Sequence, residues 1–134
     1  MNKQRGVTLI ELLIVIVVLG ILVAVGYPSY TKQVQRTKRA ECAGGLVQLA
    51  QRMERDFSEN NTYSDLGGGV VATCPSDGGG ATTYNLTVRE VTASTYILRA
   101  APVNAQASDA CGWLELDNLG RKFAENGTVD NCWR

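Results

Sequence analysis

With 134 residues, 45% of them hydrophobic and 19% charged, the chain has room for one membrane segment and one small domain. Thirteen basic residues balance thirteen acidic ones, so the overall charge does not point to a polyanion-binding protein. Histidine is absent, which excludes Ser-His-Asp and Cys-His catalysis and histidine-ligated metals together.

The chain opens on a short basic stretch, Met1-Asn2-Lys3-Gln4-Arg5. From Val7 to Gly26 the only charge is Glu11. As a helix this run reaches ~30 Å, the thickness of a bilayer's hydrocarbon core. A charged acid at mid-bilayer costs about 2.5–3.5 kcal/mol on insertion scales, so Glu11 needs a partner. A cleaved secretory signal wants a shorter apolar core of roughly 7–15 residues and a small-residue cleavage site. An ordinary membrane anchor accounts for the length but not for Glu11, and a buried helix is hard to accommodate in so small a chain. The block Gly6-Val7-Thr8-Leu9-Ile10-Glu11-Leu12 resembles the type IV prepilin signature: a basic leader, a glycine, then an apolar helix with glutamate at its fifth position. The resemblance implies that a prepilin peptidase cuts after Gly6 and methylates the new terminus, Val7. That family usually begins its mature chain with phenylalanine. Val7 still supplies apolar bulk and an amine, so processing is expected to continue, at an altered rate. Without Lys3 and Arg5 the 13 basic groups fall to 11 against 13 acidic ones, a charge of about −2.

Charge alone leaves the topology open, because Lys3 and Arg5 precede the span while Lys32, Arg36, Lys38 and Arg39 follow it. The cysteines decide it. Cys42, Cys74, Cys111 and Cys132 all follow the span with no C-x-x-C pair, a pattern that favours disulfides in an oxidising compartment over zinc. The cluster from Lys32 to Arg39 reads first as a solvated helix face, and alternatively as a partner for lipid head groups or a neighbouring subunit's acids.

After Tyr27-Pro28-Ser29-Tyr30 the helical period resumes. Ala43, Leu46, Val47, Ala50, Met53 and Phe57 form one apolar stripe, with Gln48, Gln51, Arg52, Glu54 and Arg55 mostly outside it. One helix is expected from about Val7 to about residue 58, kinked at Pro28 and ended by Asn60-Asn61, since asparagine tolerates the left-handed conformation of a helix end. Residues from about 62 to 82 read as a glycine-rich loop held midway by Cys74-Pro75. Neither glycine run precedes Lys-Ser or Lys-Thr, which argues against a phosphate-binding loop. Thr83–Val91 alternates, with Tyr84, Leu86 and Val88 on one face. Thr95–Ala101, Gly112–Asp117 and Arg121–Ala124 complete a four-stranded antiparallel meander over about 83–124, joined by short turns. The helix stripe is expected to cover one face, giving an α+β fold.

Four cysteines allow three pairings. The preferred one joins Cys111 to Cys132, closing a C-terminal loop, and Cys42 to Cys74, tying the helix to the glycine-rich segment. Each would stabilise so small a head by roughly 3 kcal/mol. The C-terminal pair is similar to the loop that pilins use for adhesion or subunit contact. The runs Asp109–Asp117, Cys132-Trp133-Arg134 and Leu49–Arg55 resemble minor pilins of the PilE kind. Trp113 and Trp133 read as partly buried packing residues rather than sugar platforms. Asp65, Asp77, Asp117 and Asp130 lack Asp-x-Asp-x-Asp-Gly spacing, so neither a metal nor a cofactor is expected. Three Asn-x-Thr triplets, at Asn60, Asn85 and Asn126, carry little weight in a bacterial family.

The resemblance implies assembly rather than catalysis. Residues 1–6 are a leader, 7–26 an assembly helix and 27–134 a periplasmic head. The precursor sits in the inner membrane with its N-terminus cytoplasmic, held by lipid, and leaves it for an extracellular pilus fibre. Glu11 pairs with the Val7 amine of an adjacent subunit. Gly20, Gly26 and Pro28 mark where the helix can unwind. The expected partners are major and minor pilins, the peptidase and an inner-membrane assembly platform, with the surface ligand open. Pilus biogenesis, twitching motility, adhesion and DNA uptake are the roles implied. The alternatives are a pseudopilin of a type II secretion apparatus and, in another class, a membrane-anchored periplasmic binding module that never polymerises. An enzyme is the weakest option.

Overall fold

The computed structural model describes residues 6–63 and 69–134; Met1–Arg5, and Asp65 with Gly67 and Gly68 of the expected loop, lie outside the described residues. The chain divides into two compact units, Met1–Val34 and Gln35–Arg134. Helix α1 spans Leu9–Asn60 and continues through Pro28, whose carbonyl accepts a hydrogen bond from Thr31 Oγ1 at 3.0 Å. It ends where the asparagine pair predicts. Asn61 takes a left-handed φ of 56°, and its N–H donates to the Phe57 carbonyl at 2.7 Å.

In the first unit, every large apolar side chain from Leu9 to Val25 is exposed. The helix is long and apolar enough to cross a membrane.

The second unit holds a five-stranded antiparallel sheet in the order β1-β2-β3-β4-β5, with β1 at Gly69–Cys74, β2 at Tyr84–Val91, β3 at Tyr96–Pro102, β4 at Leu114–Asp117 and β5 at Lys122–Ala124. The meander therefore has one strand more than the four expected, because part of the glycine-rich segment pairs with β2 from Gly69↔Val88 to Cys74↔Tyr84. Alternation did not mark β1. It is an edge strand whose first three residues are exposed on both faces, and its register shifts between Val70 and Ala72. A 3₁₀ turn at Asn104–Gln106 and a short helix α2 at Val129–Cys132 follow β3 and β5.

The core forms where Cys42, Ala43, Leu46 and Met53 of α1 meet Tyr84, Leu86 and Val88 of β2, Leu98 of β3 and Leu114 of β4. Each large apolar side chain fully buried here contributes about 1.5–3 kcal/mol. Two details differ from the expected stripe. Val47 is 38% exposed, whereas Arg39 and Cys42 are buried. The buried face thus runs along Arg39, Cys42, Ala43 and Leu46, and Val47 lies at its margin. Disulfides join Cys42 to Cys74 and Cys111 to Cys132, with Cα separations of 5.7 and 5.8 Å.

Arg39 is not part of a solvated basic face. It forms a buried ion pair with Asp109, and its Nε donates to the Cys132 carbonyl at 3.0 Å. Asp109 also accepts from the Tyr84 hydroxyl at 2.9 Å. Gln106 donates to Tyr84 Oη at 3.1 Å and to the Gln35 carbonyl at 2.8 Å. Removing one partner of a buried pair strands the other's charge, so Arg39→Leu should cost about 3–5 kcal/mol, and Arg39→Leu with Asp109→Leu should recover most of that. Urea unfolding of the detergent-solubilised chain, followed by tryptophan fluorescence, measures both.

Candidate functional site

Two regions carry the chemistry: the start of α1 and the outward face of the sheet with the C-terminal loop.

At the start of α1, Thr8 and Glu11 satisfy each other's backbone. The Glu11 N–H donates to Thr8 Oγ1 at 3.3 Å, and the Thr8 N–H donates to Glu11 Oε2 at 3.4 Å. The Thr8 hydroxyl lies 3.5 Å from the same carboxylate oxygen. This is a capping box: the Thr-x-x-Glu spacing places threonine just before the first turn and glutamate at its third position, so two N–H groups that the helix leaves unpaired find acceptors. The carboxylate also lies at the positive end of the helix dipole. Glu11 is thus hydrogen-bonded within its own chain, a partner the Thr8-x-x-Glu11 spacing already encoded. Gly6 and Val7 lie exposed beside it, before the helix begins. Gly20, Gly26 and Pro28 all lie inside α1, and a Cβ added at either glycine would meet open space.

On the sheet, Thr87, Arg99, Glu115 and Phe123 form one cross-strand row, facing away from the core. Glu115 is buried although it points outward, because two arginines cover it: Arg99 Nε at 2.8 Å and an Arg89 guanidinium nitrogen at 3.1 Å. Arg99 in turn sits 4.5 Å from the centre of the Trp113 ring. Lys122 lies 5.1 Å from the Trp133 ring, whose Nε1 donates to the Phe123 carbonyl at 3.0 Å. Both tryptophans are half-buried.

The β4–β5 turn is held by Asp117. It accepts from the backbone N–H groups of Leu119 and Arg121 at 3.0 and 2.9 Å, and from Arg121 Nε at 2.6 Å. Next to the Cys111–Cys132 disulfide, Gly112 has a φ of 63°, and a Cβ there would come within 2.1 Å of the Glu125 carboxylate, so only glycine fits. Asp77 bonds the Gly79 N–H, and the described aspartates gather into no group able to hold a metal ion, among the described residues.

A family model described as a prokaryotic N-terminal methylation motif matches residues 1–27. Another, described as "Type IV minor pilin ComP, DNA uptake sequence receptor", matches residues 28–115, well over half of the chain. The chain belongs to the type IV minor pilin family. Among curated relatives, this pilin is 41% identical over 64 residues to the type IV major pilin protein PilA of Myxococcus xanthus, covering 48% of the chain and 29% of that protein. It is 49% identical over 60 residues to a fimbrial protein of Moraxella nonliquefaciens, covering 45% and 36%. It is also 30% identical over 70 residues to the type II secretion system core protein G of Pectobacterium carotovorum, covering 52% and 45%. The pilin thus spans less than half the length of each of these relatives. Its fold matches the non-core minor pilin PilV of Neisseria meningitidis with a TM-score of 0.60 at 19% identity, over 72% of this chain and 92% of that one. It matches a type IV pilin from Shewanella oneidensis with a TM-score of 0.53 at 26% identity, over 75% and 98%.

The Asp117 carboxyl is pushed up by burial, but the hydrogen bonds from Arg121 and Leu119 and the Arg121 charge outweigh this and hold it below its ordinary 3.8. A depressed carboxyl stabilises the fold above its unfolded pKa and loses that contribution as pH falls through the folded value. The pilin should therefore lose stability below about pH 4 more steeply than Asp117→Asn does. Urea midpoints of the two proteins at pH 7 and at successively lower pH compare them.

Proposed function

We propose that this pilin is a minor subunit of a type IV pilus, stored in the inner membrane through Val7–Gly26 and polymerised through that helix after cleavage behind Gly6. The observation that carries the proposal is the first unit itself: a membrane-length apolar surface exposed throughout, with its single acid at the helix start. Lipid satisfies that surface before assembly, and equivalent helices of major and minor pilins satisfy it afterwards. Cleavage by the prepilin peptidase would free an amine at Val7, which is then methylated. In a fibre, the Val7 amine of an adjacent subunit would draw Glu11 out of its bonds with Thr8, since a full opposite charge in low dielectric outweighs one amide and one hydroxyl donor. Local unwinding at Gly20, Gly26 and Pro28 gives the helix freedom to reach that register, and an inner-membrane platform supplies the extraction work.

Within this reading Glu11→Gln and Glu11→Ala should both enter sheared fibres at least about tenfold less than wild type, consistent with the cost of an unmatched charge at membrane depth. Immunoblots of fibre and membrane fractions, with intact-mass measurement of the N-terminus, test this. Wild-type incorporation by either variant, or a chain retaining Met1–Gly6 in fibres, overturns it. A leader retained in the membrane fraction, with no chain in fibres, would instead favour a non-polymerising membrane anchor. A pseudopilin role, prompted by the similarity to core protein G, would place the chain with secretion-apparatus subunits rather than in surface fibres.

The matched family description names a DNA uptake sequence receptor, and one feature of the head favours DNA as a ligand. Lys122 and Arg134, near the aromatic rings of Phe123 and Trp133, form no ion pair among the described residues, while Arg89, Arg99 and Arg121 are neutralised. With about −2 net charge once Lys3 and Arg5 are cleaved off, contact would rest on these few cations and be strongly salt-dependent. Changing Lys122 and Arg134 to glutamine should lower the slope of log affinity against log salt by about 1.8, the loss of two phosphate contacts. Titrations of duplex DNA with the detergent-solubilised chain at several salt concentrations measure it.

A further inference from the structure

Along the seam between α1 and the edge strand β1 the second unit carries a groove, made of two adjoining cavities of about 390 and 240 Å³ that share Leu49 and Arg52. Its floor is apolar, formed by Leu49, Met53, Ala72, Leu86 and Val88. Val71, on the groove and 40% exposed, sits at the register shift of β1. Gly45 lines the opposite end, where an added Cβ would sit at ordinary contact distance, 3.4 Å from Cys74 Sγ and 3.5 Å from Leu86.

Two arginines of α1, Arg52 and Arg55, line the rim. Each has an acid four residues further on, Asp56 and Glu59, yet pairs with neither, and they form no ion pair with any described residue. The arginines of the sheet face are treated differently, since Arg89 and Arg99 share Glu115. Two like charges at this spacing repel each other.

We propose that this groove docks an extended, acidic segment of a partner protein, added beside β1. Three observations favour a peptide. β1 is an outer strand whose free edge pairs with no strand among the described residues, and an extended chain can join it by main-chain hydrogen bonds. Alternate residues of an added strand fall about 6.7 Å apart, close to the roughly 5–6 Å between helix residues three apart, so acids at every second position meet Arg52 and Arg55. The apolar floor accepts the aliphatic parts of such side chains, whereas a nucleic-acid phosphate gains nothing from it.

The probe is a fluorescein-labelled decapeptide alternating glutamate and valine, titrated by anisotropy against the full chain in detergent micelles, with empty micelles as the blank. Saturable binding is expected. It should weaken at least about tenfold for Arg52→Glu with Arg55→Glu, and also for Val71→Asp, which sets a like charge on the β1 side. Far-UV circular dichroism confirms that both variants fold. A peptide of the same composition with its glutamates clustered should bind more weakly. No binding, equal binding to the arginine variant, equal binding of the clustered peptide, or displacement by duplex DNA at matched charge would each overturn the proposal.

Discussion

The head is organised around the buried pair of Arg39 and Asp109. Arg39 comes from the helix and Asp109 from the segment that leads into the Cys111–Cys132 loop. The guanidinium also reaches the Cys132 carbonyl, so one side chain holds both ends of that loop against α1. Tyr84 brings β2 into the same network, and burial with the neighbouring Asp109 charge drives its hydroxyl far above the ordinary tyrosine range. Gln106 closes the circuit through the Gln35 carbonyl. Every buried side-chain polar atom among the described residues finds a partner, which is the condition under which such a network specifies one packing rather than weakening the core. A second polar knot lies further along α1: Glu54 accepts from both Tyr63 and Tyr96, and Tyr63 stacks on Phe57. The helix is thus fixed at two places by bonds with direction, and between them by apolar contact that has none.

Much of this fold is legible in the residues because its elements obey simple periods. Tyr84, Leu86 and Val88 alternate because β2 is covered on one face only, and the same holds for Tyr96, Leu98 and Ala100. Asn61 marks the helix end because few residues accept its backbone conformation. The failures have equally physical causes. β1 has no buried face over Gly69–Val71, so it leaves no alternation to read. Arg39 sits in a run of cations that looks solvated, and only its position three residues before Cys42 and four before Ala43 hints that it faces inward. Its partner lies 70 residues away and no local pattern announces it. Val47 shows the converse: a 3.6-residue period gives the centre of a stripe more reliably than its margin. The Thr8–Glu11 box is a local motif, and the apolar context of Glu11 masks it, since an acid in a greasy run invites a search for a distant partner before a near one.

The two units solve opposite problems. In the first, apolar side chains from Leu9 to Val25 have no cover of their own, so their free energy is set by whatever surrounds them. In the second, a small core is reinforced by two disulfides and by buried polar bonds, which makes it independent of its surroundings. The division suits the proposed passage from lipid into a filament, in which the helix would change neighbours while the head keeps its shape. The capping box fits the same logic: its hydrogen bonds to the exposed Glu11 carboxylate, at 3.4–3.5 Å, are long enough to be exchanged for a full counter-charge in the proposed fibre.

Charge is allocated on the head with a similar economy. On the outward sheet face, Glu115 is shared by Arg89 and Arg99, Arg121 is clamped by Asp117, and Arg99 stacks on Trp113. Arginine suits this role because its planar group can bond an acid and cover a ring at once, which a lysine ammonium cannot do. A face so neutralised can lie against neighbouring heads without repulsion. Among the cations without an ion pair to a described residue, Lys122 and Arg134 stand toward the C-terminal loop and Arg52 and Arg55 over the groove beside β1. In a chain whose acids and bases are equal in number, an arginine that ignores an acid one turn away is not short of partners. It lines the groove, and an anion that arrives there meets a charge that no acid among the described residues has claimed.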